Sequence, residues 1–142
     1  MNYDNCSNIG RLMMAYGKYF KAYMKKELAG EGLNVADAMI MLSLYEKDGR
    51  TQDSLMEQVH YDKSVVTRTM QSLEENGYIV RDPNPEDGRS WVFRLTEKGR
   101  SKKPVILSAL RGWSSRAFGD IDHEKINELH ETLMTIVGNV RP

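Results

Sequence analysis

Hydrophobic positions along the chain keep a helical period almost throughout and change to a strand period once. In residues 8–28, Ile9, Leu12, Met13, Tyr16, Phe20, Tyr23, Met24 and Leu28 recur largely at spacings of three and four, which predicts an amphipathic helix. Ser7 or Asn8 is placed to cap its start, and Gly30 and Gly32 to stop it. Residues 35–47 carry Ala38, Met39, Met41, Leu42 and Leu44 on nearly every side, the pattern of a helix buried at the centre of a fold. Asn34 is its expected cap and Asp48-Gly49 its stop. Two short helices are predicted next. Thr51 caps one that runs through Val59, with Leu55, Met56 and Val59 inward; Asp62 caps the other, through Asn76, with Val66, Met70 and Leu73 inward. Gly77 follows where a left-handed residue ends a helix.

The period then shortens. Tyr78-Ile79-Val80-Arg81 reads as a strand and Asp82 to Gly88 as a turn with two prolines. Ser90 to Leu95 is a second strand, with Trp91, Phe93 and Leu95 on one face and Ser90, Val92 and Arg94 on the other. Two short helices followed by a β-hairpin make a winged helix. Thr96 is placed to cap a long helix that reaches Phe118 and breaks near Gly99 and Pro104. A last helix, residues 122–139, has Ile126, Leu129, Leu133, Ile136, Val137 and Val140 as its stripe. The expected fold is therefore mainly α with a small β-hairpin wing: a winged helix-turn-helix core flanked by N- and C-terminal helices.

Composition narrows the class. The 142 residues are 40% hydrophobic and 28% charged, with 20 basic and 20 acidic side chains. That suits an ordinary globular chain and excludes wholesale disorder. No apolar run reaches the roughly 18 residues that a membrane span needs. MNYDNCSNIGRL has neither a basic start nor an apolar core, so no signal peptide is expected. One cysteine, Cys6, excludes an internal disulfide. The expected location is the cytoplasm, with no membrane partner. Charge is unevenly spread: residues 96–118 hold six basic side chains and one acidic, whereas residues 119–142 hold two and five. A phosphate backbone feels such local fields rather than the net charge.

Three motifs, in order, carry a resemblance. Leu73 to Arg81 reads LEENGYIVR, Asp87-Gly88-Arg89 reads D-x-R, and Leu95 to Gly99 reads L-T-x-x-G. Together they resemble the winged-helix core of the MarR family of transcription regulators. Helices before and after the core extend the likeness over nearly the whole chain. Two departures are the proline-rich turn (Pro83, Pro85) and Phe93 where Val or Ile is common. The resemblance implies a single MarR-like domain over residues 1–142. Within it, residues 1–32 and 119–142 would be dimerisation helices, 34–99 the DNA-binding core and 96–118 a connecting helix. It implies a homodimer whose first and last helices interlock. Its partners would be double-stranded DNA, as a pseudo-palindromic operator, a second copy of the chain, and a small-molecule effector. The implied activity is repression relieved by a small lipophilic or aromatic ligand.

The candidate DNA-reading face is Lys63, Ser64, Thr67, Arg68 and Gln71. Arg forks onto guanine, Gln onto adenine, and Thr offers a hydroxyl and a methyl group. The competing reading is a solvated polar face. Arg89 at the wing tip has the chemistry for a narrow minor groove, with Asp87 placed to orient its guanidinium; alternatively the two form a plain turn salt bridge. Thr51 and Gln52 open a helix, where free N–H groups attract phosphate. For the effector, Arg11, Tyr16 and Met39 are candidates, Arg11 as a carboxylate partner, with ordinary dimer core as the alternative. Oxidant sensing through Cys6 is a further alternative. The cysteine slot of the family's oxidant-sensing branch falls near Leu12 instead, and its tyrosine positions near Lys26 and Asp37. His123 and His130 are seven apart, too far for an H-E-x-x-H zinc site. With no nucleophile, phosphate-loop or metal motif visible, neither an enzyme nor a cofactor is expected. The rival non-enzyme class is a dimeric winged-helix adaptor that does not read DNA.

Overall fold

The computed structural model describes residues 3–142. Helix α1 spans Tyr3–Leu28. It begins before Ser7 and Asn8, which lie exposed within it and cap nothing; a short polar side chain that points into water is tolerated inside a helix. A single 3₁₀ turn, Ala29–Glu31, ends at Gly32 with φ 69°. This is the left-handed geometry that glycine adopts at little cost. Helix α2, Val35–Glu46, starts with a reciprocal capping box between Asn34 and Asp37. Its buried residues include Val35, Ala38, Ile40, Met41 and Leu44, so it is wrapped on most sides. Asp37 is buried with them, and desolvation raises its carboxyl above the usual range while the Asn34 N–H opposes that shift.

Helix α3, Gln52–Val59, is capped by the Thr51 hydroxyl, and helix α4 is Lys63–Glu75. Asp62 stands at the cap position of α4 without a side-chain cap bond; its carbonyl takes the Val65 and Val66 N–H groups instead. Strands β1, Ile79–Pro83, and β2, Trp91–Leu95, pair antiparallel with Ile79 opposite Leu95 and Pro83 opposite Trp91. Arg50 makes an isolated bridge to Phe93 on the other edge of β2. Phe93 and Leu95 enter the core as the alternation predicts. Trp91 shares their face but is 47% exposed, because the strand has by then run past the core.

The helix expected after Thr96 breaks at Lys102, between the two anticipated points: α5 is Glu97–Ser101 and α6 is Lys103–Phe118. Pro104 sits in the first turn of α6, where its missing N–H costs nothing. Helix α7 is His123–Val140. One compact unit ends at Leu110, and a second comprises Arg111–Pro142.

The core of the first unit gathers Met24 and Leu28 from α1, the apolar face of α2, Leu55, Val66, Met70 and Leu73, and Ile106. The N-terminal half of α1 does not join it: Leu12 is 59% exposed, and Ile9 and Met13 are also exposed. In the second unit the α7 stripe is half-buried at Ile126, Leu133 and Ile136 and exposed at Leu129, Val137 and Val140. Both helices have the apolar period that the sequence predicts, but one chain leaves much of it uncovered.

The wing is anchored where α5 begins. The Thr96 hydroxyl accepts from the Gly99 N–H and donates to the Gly77 carbonyl. Tyr45 on α2 donates to the Gly99 carbonyl at 2.6 Å, and burial pushes its phenol up to about 12. Because this raised value exceeds the unfolded 10.0, the stabilisation is complete below about pH 10 and fades as pH rises towards 12. Tyr45→Phe removes this bond and should cost about 1 kcal/mol at neutral pH, read from urea unfolding. An unchanged midpoint would contradict this role.

Candidate nucleic-acid interface

Helices α3 and α4 are joined through residues 60–62. His60 closes α3 with φ 55°, an uncommon value for a residue with a side chain. Val66, Met70 and Leu73 hold one face of α4 in the core, so the opposite face must face water. On it Lys63, Ser64, Thr67, Arg68 and Gln71 are all exposed. Only Thr67 is held by another side chain of the described residues. The Gln52 side-chain amide of α3 donates to the Thr67 hydroxyl at 3.0 Å, which leaves the hydroxyl proton free to point outward. This bond unites two residues picked from different helices. Thr51 precedes Gln52, and its hydroxyl accepts from the Ser54 N–H, which leaves its proton free to donate as well. What α3 offers a phosphate is therefore its opening main-chain N–H groups together with the Thr51 hydroxyl proton.

At the wing tip the residues between the strands form a compact turn. The Asn84 side chain accepts from the Glu86 N–H and donates to Ser90. Asp87 accepts from the Arg89 main-chain N–H at 3.0 Å. The expected Asp87–guanidinium bond is absent among the described residues; the carboxylate closes an Asx turn instead. Arg89 is exposed, and its guanidinium has no partner among the described residues. Asp87 thus shapes the turn and leaves the Arg89 charge available.

The basic segment after the wing is different. Lys98 bonds to the Asn76 carbonyl at 2.7 Å and stands 4.5 Å from the Tyr78 ring centroid. Arg100 meets Asp48 at 3.4 Å, Lys102 meets Glu31 at 2.7 Å, and Lys103 lies over Tyr45. Carboxylates offset Arg100 and Lys102, whereas Lys98 and Lys103 meet neutral groups and keep their full charge.

A cleft of about 550 Å³ opens between Gly17, Phe20 and Lys21 of α1, residues 34–36, and Tyr61 and Val65 at the start of α4. Burial raises the Tyr61 phenol above its usual value. None of the three effector candidates lines the cleft. Tyr16 stacks on Phe20 with centroids 6.2 Å apart, Met39 packs against the core, and Arg11 lies exposed further up α1. Other positions of α1 and the start of α2 border the cleft instead. Cys6 is exposed, and no metal-binding group of His, Cys, Asp and Glu occurs among the described residues. No described helix is long and apolar enough to cross a membrane.

The LEENGYIVR motif and the strand pattern contain Glu74 and Arg81 without linking them. Their contact across the junction of α4 and β1, at 2.7 Å, was missed. Opposite charges seven residues apart on either side of a glycine turn were the available signal.

Comparisons with known proteins agree with this architecture. A family model described as the MarR family matches residues 33–91. The HTH-type transcriptional regulator YdgJ of Bacillus subtilis is 30% identical over 135 residues, covering 95% of this chain and 82% of that protein. A MarR transcriptional regulator from Methanosarcina mazei Go1 superposes with TM-score 0.81 at 27% identity, covering 94% of this chain and 96% of its own. CouR from Rhodococcus jostii RHA1, solved with p-coumaroyl-CoA bound, gives TM-score 0.82 at 26% identity and 90% coverage of both chains. The first two of these relatives are named as regulators of transcription rather than enzymes.

Proposed function

This chain belongs to the MarR family of DNA-binding transcriptional regulators, and from that premise we propose that it reads a specific operator as a homodimer. The observation that carries this reading is the face of α4: five exposed polar side chains, four of them with no partner among the described residues. Lys63 and Ser64 contact phosphate near the helix start. Thr67, Arg68 and Gln71 meet base edges in the major groove. Gln52 holds Thr67, and the opening N–H groups of α3 fix the register on the backbone. Arg89 enters the flanking minor groove, with Asp87 setting its turn.

The uncovered apolar residues of α1 and of α7 support a second copy as partner, since monomers seldom expose such stripes. On this reading residues 1–32 and 119–142 dimerise, 34–99 bind DNA and 96–118 connect them. The protein works in the cytoplasm as a repressor. A small lipophilic or aromatic molecule in the cleft beside Phe20 and Tyr61 releases it, by favouring a spacing of the two DNA-binding lobes that does not match the operator. That CouR was solved with an aromatic acyl thioester supports this choice of ligand class.

Hydroxyl-radical footprinting on DNA upstream of the protein's own gene tests the reading. Two protected half-sites about one helical turn apart are expected, with Arg89→Ala losing protection only in the flanking minor grooves. A single unsymmetric footprint, or flanks unchanged by Arg89→Ala, would refute the dimeric arrangement or the wing contact respectively.

A further inference from the structure

Base reading and groove insertion are assigned to separate elements, α4 and the wing tip. A two-stranded hairpin is marginally stable alone. Its tip lies well beyond its base, so a small rotation at the base moves Arg89 far. Something must fix the direction of the hairpin relative to α4.

The junction holds such a device. Glu74, in the last turn of α4, accepts from both Nε (3.0 Å) and Nη2 (2.7 Å) of Arg81 on β1. The fork is bidentate, so it sets direction as well as distance. The same guanidinium lies 5.7 Å from the ring centroids of both Trp91 and Phe93 on β2. Phe93 stands directly opposite Arg81 in the register, and Trp91 is two residues along on the same face. Phe93 is 4% exposed and rooted in the core, whereas Trp91 is 47% exposed and its described ring contact is with Arg81. One guanidinium therefore joins the end of α4 to both strands of the wing.

We propose that Glu74 and Arg81, clamped on Trp91 and Phe93, form the positioning clasp that aims the wing, so that the contribution of Arg89 to DNA binding depends on this clasp. The proposal rests on the reading of Arg89 as a minor-groove contact. Arg81 and Glu74 are positioning residues; neither needs to touch DNA.

A double-mutant cycle tests it. Fluorescence anisotropy would use the full chain and a duplex that wild-type protein selects from a random-sequence library. Arg89→Ala should weaken wild type about tenfold, but Glu74→Gln or Arg81→Met protein by less than about threefold. Arg81→Lys keeps the charge and loses the fork, so it should fall on the mutant side. Circular dichroism confirms that each variant is folded. A readout without DNA accompanies the cycle: the ¹⁹F resonance of 5-fluorotryptophan at Trp91, identified by Trp91→Phe, should sharpen in Glu74→Gln as the ring gains motion. An equal tenfold loss from Arg89→Ala in every background overturns the clasp. An unchanged Trp91 resonance in Glu74→Gln overturns it as well. If Arg89→Ala costs wild type nothing, the minor-groove reading fails and the proposed coupling to DNA fails with it. A Trp91 resonance that still sharpens in Glu74→Gln would then show that the junction holds the ring without serving Arg89.

Discussion

Arg68→Ala is expected to weaken the specific DNA complex about tenfold to a hundredfold, or about 1–3 kcal/mol, and to relax preference at one base pair. Arg68 lies in the second turn of α4 on the exposed face, beside Thr67. Its guanidinium has no ion pair among the described residues, so it loses little on leaving the protein surface for a guanine edge. A phosphate contact would behave otherwise. Lys63→Ala should weaken all sequences alike and reduce the salt slope by about one. Measuring both variants against single-base operator substitutions separates the two roles. Uniform weakening by Arg68→Ala would remove it from base reading.

Gly99→Ala is expected to destabilise the fold by about 3 kcal/mol, at the upper end of overpacking costs. An added Cβ would run into the Tyr78 carbonyl oxygen and lie 3.1 Å from Leu95 Cδ2. The first of these is backbone, tied by the Thr96 N–H, and cannot swing aside. Alanine gains about 1 kcal/mol of helix propensity over glycine, too little to offset the clash. Gly77 is the control. It needs φ 76°, but nothing stands within 4 Å of an added Cβ. Gly77→Ala should cost only the left-handed penalty of about 1–2 kcal/mol. Urea midpoints for the two variants decide the ranking, and equal midpoints would contradict the contact argument.

These expectations divide according to what the sequence could reveal. The caps at Asn34, Thr51 and Thr96 and the left-handed Gly77 follow from local rules of spacing and side-chain reach, and the structure places each as read. The inward stripe of α4 was legible for the same reason: with Val66, Met70 and Leu73 buried, the outward face is determined. What was not legible depends mostly on how the folded chain brings groups together. Asp87 serves a main-chain N–H, because the fold of the turn, not its composition, decides which donor arrives first. The cations of α5 and early α6 are taken up by Asp48, Glu31, Tyr45, Tyr78 and the Asn76 carbonyl, most of them far away in sequence. The cleft gathers Phe20, Val35 and Tyr61 from three separate segments, and no periodicity in one helix reports such a meeting. The first turn of α1 was missed because Ser7 and Asn8 look like caps even where a helix runs through them.

The most direct test is anisotropy of the purified protein against duplex DNA from upstream of its own gene, across a salt series with excess non-specific competitor. The account predicts a steep loss of affinity with salt, as several phosphate contacts require. It also predicts a complex that survives competitor and loses its sequence preference in Arg68→Ala. Binding that is flat in salt, or erased by competitor for this DNA and for duplexes drawn from a random-sequence library, would contradict a sequence-reading regulator.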